Sequence, residues 1–435
     1  MSSLSVLFRW FAGGSFKYPI SNSPICSLSS KSTASFKFFT SIFRRQVSSN
    51  SISPPWLMLP PAFEGGGGAL MRHNFYSLTE NKVITLAGTG AKEITDVMMM
   101  SKPPINHHRV IRGSSHGWLA LFDELNLDLF LYNPISGRHI KLPPIHNLPA
   151  NNGYPTRSVA KVILSCSPDQ DYENCRAVIT YNCTGLMAFC CPGRSKEWTH
   201  FGRFPVGYDD CVYSSEHHLL FGLTNIDDCL ETWDLRDPSS PPRMIKSSIL
   251  DDDSEDDDDD SESGNLPSDF CRTVEHLVVA DHHLFVVSRY IMECVGPDGS
   301  YVDCYDEGSH DCPHMTVDFD VHKYNPEKGS VTYVDSLEGL ALFIGLESHT
   351  VALPAAHFPA GLKPNSIYFT DTIGTGYWTL PRHGYSEYEA PFGGHDIGIF
   401  NYENKTVSSC YYPCDLQSVH KILPSPMWFF PSSPL

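Results

Sequence analysis

The sequence predicts an all-β fold, a β-propeller of about six to seven four-stranded blades with a disordered N-terminal extension. Three observations carry the prediction. Gly113 to Pro144 reads as one blade-sized unit of antiparallel sheet: an apolar strand (Trp118 to Phe122), an acidic turn, a second strand (Leu127 to Tyr132), and an Asn-Pro-x-x-Gly turn into a third strand ending in Leu-Pro-Pro. The strand, Tyr-Asn-Pro-x-x-Gly, strand pattern at Tyr132 returns at Tyr324, with a looser copy after Phe400. In such a turn Asn favours initiation, Pro sets φ near −65° and Gly takes the position that needs positive φ. Finally, 33 Pro and 31 Gly are spread along the chain among plentiful Phe and Tyr, a mixture that suits short strands and tight turns and not long helices.

From the N-terminus, residues 1–50 hold 14 Ser, six basic residues (Arg9, Lys17, Lys31, Lys37, Arg44, Arg45) and no acidic residue before Glu64. This is the composition of an organellar transit peptide, and Arg9 with the Gly-Gly-Ser after it interrupts any secretory apolar stretch. Leu4, Leu7, Phe8 and Phe11 share one helical face, and Arg44-Arg45 precedes Ser48-Ser49 as in a matrix-processing site; both favour the mitochondrion, while the Ser content leaves chloroplast or dual targeting open. Residues 51–69, with two Pro-Pro pairs and Gly65 to Gly68, read as a Pro/Gly-rich linker. The propeller domain is expected over 70–435, where short alternating runs such as SVAKVILSCS, RAVITYN and HLVVADHHLFVVSRYI follow one another between turn residues. At about 45–50 residues per blade this length gives seven or so.

An acidic, disordered loop is expected at 248–266. Ten acidic residues lie between Asp251 and Glu262, like charges that repel and cannot be buried together. They account for over half of the formal net charge of −19; the rest is mildly acidic and offers no footprint for nucleic acid. No apolar run reaches the roughly 18 residues of a membrane span, so membrane insertion is not expected.

The 14 cysteines contain no Cys-x-x-Cys pair and read as buried or half-buried thiols. A Cys/His-rich patch, Cys294, Cys304, His310, Cys312 and His314, offers zinc-type ligands at irregular spacing, a weak metal candidate. The pairs His107-His108, His217-His218 and His282-His283 point to opposite faces of any strand and read as turn-edge residues. Ser115-His116 lacks a nucleophile elbow, and neither Gly65 to Gly68 nor Gly88-Thr89-Gly90 is followed by a phosphate-loop Lys. No catalytic residue and no cofactor is therefore expected. Trp118 and Trp233 read as blade core, and Trp428, Phe429 and Phe430 as packing of the closing blade.

The runs Ser115-His116-Gly117-Trp118-Leu119, Leu131 to Pro134 and Leu142 to Pro144 resemble the plant domain of unknown function 295, or KIB-type β-propeller, family. So do Val321 to Gly329, Leu340 to Gly345, Phe358-Pro359, Asn365 to Asp371, Asp396 to Tyr402 and Pro426 to Pro431, in the family's order over roughly 70–435. The resemblance implies a propeller, and in many members an N-terminal F-box that recruits a ubiquitin ligase. Nothing before residue 110 matches that motif, so the chain resembles an organelle-targeted branch lacking it. The expectation is a non-enzymatic, monomeric interaction protein inside an organelle, with protein partners on a propeller face. A substrate receptor for ubiquitination and an enzyme with its site in the propeller channel are the alternatives.

Overall fold

The structure, a computed structural model, describes residues 54–64, 70–87, 109–149, 158–182, 185–237, 240–250, 271–280, 282–302, 312–345, 349–372 and 392–431. The chain divides into residues 1–52 and 53–435, and every described residue lies in the second unit. The expected transit peptide (1–50) and the acidic run from Asp251 fall outside the described residues.

Six sheets follow one another along the chain. Blade 1 holds β1 (Trp56–Glu64), β2 (Leu70–Ser77) and β3 (Lys82–Ala87), and blade 2 holds β4 (Arg109–Ser115), β5 (Trp118–Asp123), β6 (Asp128–Tyr132) and β7 (His139–Lys141). Blade 3 is β8 (Val159–Leu164), β9 (Ala177–Tyr181), β10 (Leu186–Cys190) and β11 (Thr199–Phe201). Blade 4 is β12 (Tyr208–Ser214), β13 (Leu219–Thr224), β14 (Cys229–Asp234) and β15 (Arg243–Ile249). Blade 5 is β16 (Cys271–Ala280), β17 (His283–Met292), β18 (Met315–Asn325) and β19 (Ser330–Tyr333). Blade 6 has five strands, β20 (Leu340–Ile344), β21 (Val351–Pro354), β22 (Ser366–Phe369), β23 (Gly398–Asn401) and β24 (Thr406–Ser408), with β20 and β22 parallel. The last strand, β25 (Met427–Phe429), returns to pair with Trp56–Met58 of β1. The fold is thus an all-β six-bladed propeller, within the range the sequence predicts.

Six hydrophobic clusters fill the six gaps between neighbouring sheets, and strand alternation feeds them. On β5, Trp118, Ala120 and Phe122 face blade 3, while Leu119 and Leu121 face blade 1. On β1, Trp56 and Met58 face blade 2, and Leu57 and Leu59 face blade 6. This corrects the linker reading of 51–69. The two prolines that argued against a strand, Pro60 and Pro61, sit at a register shift between Leu59 and Ala62, where a bulge spares them from donating to the ladder.

The three Asn turns behave alike. Asn133 Oδ1 accepts from the Ile135 and Ser136 amides (2.9 and 3.0 Å) and Asn325 Oδ1 from Glu327 and Lys328 (2.9 and 3.2 Å). Asn401 Oδ1 accepts from Glu403 and Asn404 (3.1 and 3.0 Å). Gly137 (φ 70°) and Gly329 (φ 85°) take the left-handed position, which Lys405 (φ 53°) occupies in the looser copy.

Closure rests on Trp428. Its side chain is fully buried between blades 6 and 1, and its indole N–H lies 3.2 Å from the Ile344 carbonyl and 3.1 Å from that of Tyr368. Trp428→Ala should cost about 3–5 kcal/mol, read as a lower urea midpoint, with Trp428→Phe milder because the ring packing survives. A Trp428→Ala loss under about 1 kcal/mol would mean that β25 does not hold the ring shut.

Candidate functional site

The inner strands β25, β4, β8, β12, β16 and β21 neighbour one another in that order. They approach closely: a Cβ on Gly113 of β4 would lie 2.4 Å from the Val162 carbonyl oxygen of β8. Polar groups here tie blades together. Lys161 Nζ on β8 contacts Asp210 Oδ1 on β12 at 2.6 Å, and Asp210 Oδ2 accepts the Leu277 amide of β16 at 2.8 Å. Burial opposes the Lys161 charge, and Asp210 beside it more than restores it, so the ammonium is held above its usual range. The His349 amide donates to the Ser114 carbonyl at 3.0 Å, joining blade 6 to blade 2. Ser115 Oγ lies 3.0 Å from His116 Nδ1 but also accepts the Leu164 amide at 3.3 Å, and the His116 and His349 rings are 5.8 Å apart. Ser115 is thus engaged with backbone, and burial holds His116 down at about 4 and His349, also facing His116 and Lys161, at about 3.

A denser polar junction lies between blades 5 and 6. Arg289 of β17 is fully buried, its guanidinium 4.9 Å from the Phe369 ring centre and 5.9 Å from that of Phe319. Nε donates to Thr316 Oγ1 (2.8 Å), Nη1 to the Thr370 carbonyl (2.8 Å) and Nη2 to Asp396 Oδ2 (2.9 Å). Asp396 also accepts the Thr316 amide (3.1 Å) and hydroxyl (2.6 Å). Beside it His314 Nε2 meets Asp371 Oδ1 at 2.8 Å, and Asp371 Oδ2 accepts the His395 amide at 3.1 Å. His395 Nε2 lies 3.0 Å from the His314 carbonyl oxygen, and the two imidazoles are 4.4 Å apart. Burial works against a charged His314, and the Asp371 carboxylate overturns it, leaving His314 above its usual value. Burial, with His314 alongside, holds His395 below it.

The five-residue Cys/His set is not assembled by the described residues. Cys304 and His310 lie outside them, Cys294 is disulfide-bonded, and Cys312 is a half-buried free thiol. The disulfide also departs from the expectation of thiols throughout. His314 alone reaches a site, with partners from the segments after β22 and before β23 that sequence spacing could not supply. The signal was present in part, since Asp371 and Asp396 end and begin two of the runs that carry the family resemblance, but as chemistry it went unread. His217-His218 and His282-His283 lie at hairpin turns as expected, where His282 Nδ1 meets Glu216 Oε2 at 2.8 Å. His107-His108 lies outside the described residues, as do both Gly runs. Trp118 and Trp233 are core residues, as expected.

The pattern of the KIB1-4 beta-propeller family matches residues 69–401, well over half of the chain. The chain belongs to the KIB1-4 β-propeller family. A putative F-box protein of Arabidopsis thaliana is 23% identical over 238 residues, 54% of this chain and 52% of that protein. The chain thus spans about half the length of that curated relative. Among solved structures, apo AztD from Citrobacter koseri has a TM-score of 0.32 at 14% identity, covering 68% of this chain and 77% of that one. The major Malassezia sympodialis allergen Mala s 1 has a TM-score of 0.31 at 9% identity, covering 83% and 86%. No described helix of this KIB1-4 propeller is long and apolar enough to cross a membrane.

Two measurements test these polar interiors. Removing the Arg289 fork by Arg289→Met leaves the buried Asp396 without its counter-charge, which should cost about 3–5 kcal/mol in urea unfolding. A smaller loss in the Arg289→Met, Asp396→Asn double variant than in the single one is expected; equal losses would sink the pairing argument. The second concerns acid. Burial holds His73 near 4 and His276 near 3, against 6.5 unfolded. The unfolded chain therefore binds protons that the folded chain refuses. Their stabilisation is complete above pH 6.5 and lost as pH falls from there toward 4 and 3, at up to about 1.4 kcal/mol per pH unit per group. His276→Gln should flatten the fall in urea midpoint between pH 7 and pH 5; an unchanged slope would exclude His276 as a contributor.

Proposed function

We propose that this KIB1-4 propeller is a non-catalytic interaction scaffold that works inside an organelle, by preference the mitochondrion. The observation that carries the scaffold reading is the outer edge of blade 4. Outer strands in blades 2, 3, 5 and 6 are three or four residues long, whereas β15 runs for seven. It exposes Met244, Ile245 and Ile249 (41, 47 and 62%) on an edge that pairs with no further strand among the described residues. Its one lysine, Lys246, is turned away to the Pro326 carbonyl of blade 5. A long apolar edge of this kind is a ready template for a partner strand. The Ser-rich, basic, acid-free residues 1–50 support the organellar address.

A second reading, a substrate receptor for ubiquitination, is supported by the putative F-box relative. One experiment separates them. Tagged full-length protein and an Ile245→Glu, Ile249→Lys variant are expressed in plant cells, located by microscopy and used for capture with identification of the partners. The scaffold reading expects both in organelles, with a specific partner lost from the edge variant. A cytosolic protein that captures a ubiquitin-ligase adaptor would replace it with the second reading.

A further inference from the structure

His314, Asp371 and His395 come from three segments: the approach to β18, the exit of β22 and the approach to β23. All three side chains are buried. One ligand-type atom from each, two imidazole nitrogens and a carboxylate oxygen, lies within 4.8 Å of the other two. The shortest separation, His314 Nε2 to Asp371 Oδ1, is 2.8 Å. Ligands held at 2.0–2.2 Å on a tetrahedral zinc stand about 3.4 Å apart, and an ion here would displace to solvent the proton now held between His314 Nε2 and Asp371 Oδ1.

The tautomer of His395 gives the direction. Its Nε2 lies against the His314 carbonyl oxygen, which can only accept, so Nε2 carries the proton. With Nε2 protonated, Nδ1 is the nitrogen that can offer a lone pair to an ion. It is buried, has no hydrogen-bond partner among the described residues, and lies 3.8 Å from Asp371 Oδ2. A lone pair facing a carboxylate away from water is repulsive, and a cation between them converts that repulsion into two bonds. A ring nitrogen donating to a backbone carbonyl while the other faces the ion is also how metal-bound histidines are oriented.

The surrounding charge and backbone agree. The Arg289 guanidinium pairs with Asp396, the carboxylate next in sequence to His395. The ligands are pre-positioned: the Val295 amide donates to the Pro313 carbonyl before His314, and the Ile422 amide to the Gly393 carbonyl before His395 (both 2.9 Å). Gly394 (φ +68°) packs so closely that a Cβ would meet the Ile422 carbonyl oxygen at 2.0 Å.

We propose that His314, Asp371 and His395 form a transition-metal site, zinc by its ligand chemistry, that pins blade 5 to blade 6. Two imidazoles and one carboxylate suit zinc or a neighbouring first-row divalent ion; calcium and magnesium prefer all-oxygen shells. The site leaves a fourth position for water.

The test uses purified full-length protein, stripped with chelator under reducing conditions, and zinc or cobalt(II) chloride as the probe. One equivalent of zinc should bind at micromolar concentration or below and raise the melting temperature. Cobalt(II) should give visible ligand-field bands without a thiolate charge-transfer band. Asp371→Asn and His395→Gln should each weaken zinc by more than about 100-fold, since outer-shell partners alone account for 10–100-fold. His282→Gln, in the exposed cluster with Glu216 and His217, should bind as the parent does. The proposal is overturned by the absence of a stoichiometric ion, by a thiolate band, or by zinc affinity that survives both ligand variants. It is equally overturned if His282→Gln abolishes binding. Should a ligand variant fail to fold, the cobalt spectrum and zinc-dependent melting of the parent still decide.

Discussion

Everything in this propeller depends on the ring being closed, because each sheet is apolar on both faces and no blade can be stable with one neighbour. The six clusters are the six gaps between blades, so opening any one exposes two apolar faces at once. The chain closes the ring with three residues, β25 on β1. That strand serves both sides by alternation, Met427 and Phe429 toward blade 2 and Trp428 toward blade 6. The gaps between radiating sheets widen outward, and large rings fill them: Phe343 stacks on Tyr368 (4.7 Å) and meets Trp428 edge-on (5.0 Å).

Burial on both faces has a second consequence. A charged group between blades is cut off from water and is costly unless paired there. Lys161 meets Asp210 between blades 3 and 4. Arg289 meets Asp396 between blades 5 and 6. Apolar clusters resemble one another and would tolerate sliding; these pairs have one geometry each and would be orphaned by a shift of either blade. They add little net stability over well-packed apolar residues. Their effect falls on register, and it concentrates polar chemistry at blade junctions.

How much was legible follows from how local each signal is. The Asn133, Asn325 and Asn401 turns were readable because their chemistry lies within five residues, and all three make the same amide bonds. Strands were readable as apolar runs, although burial of every residue of β5 erases the usual polar alternation. The prolines of β1 hid a strand whose pattern at Trp56 to Leu59 was otherwise plain. Blade 6 departs from the meander through its parallel β20–β22 pair, which regular spacing does not announce. Least legible was the His314, Asp371 and His395 group. Its members are separated by 57 and 24 residues, and only the placement of β18, β22 and β23 joins them. Composition instead grouped His314 with its sequence neighbours.

The edge of blade 4 raises a problem that the sequence itself answers. An exposed apolar strand should invite its own copy as readily as a partner, and an edge lysine is the usual guard. Lys246 does not serve, being held over the Tyr324 ring and against Pro326. The acidic run begins at Asp251, two residues after β15 ends, with ten carboxylates in twelve positions. Each copy meeting edge to edge would carry ten carboxylates that begin two residues beyond the strand in sequence. Closely spaced like charges within a Debye length, about 8 Å in physiological salt, make that encounter costly. A partner carrying basic residues next to a β-strand would meet attraction at the same place. On the proposed scaffold reading, the charge that opposes self-pairing is also the charge that would favour a basic partner.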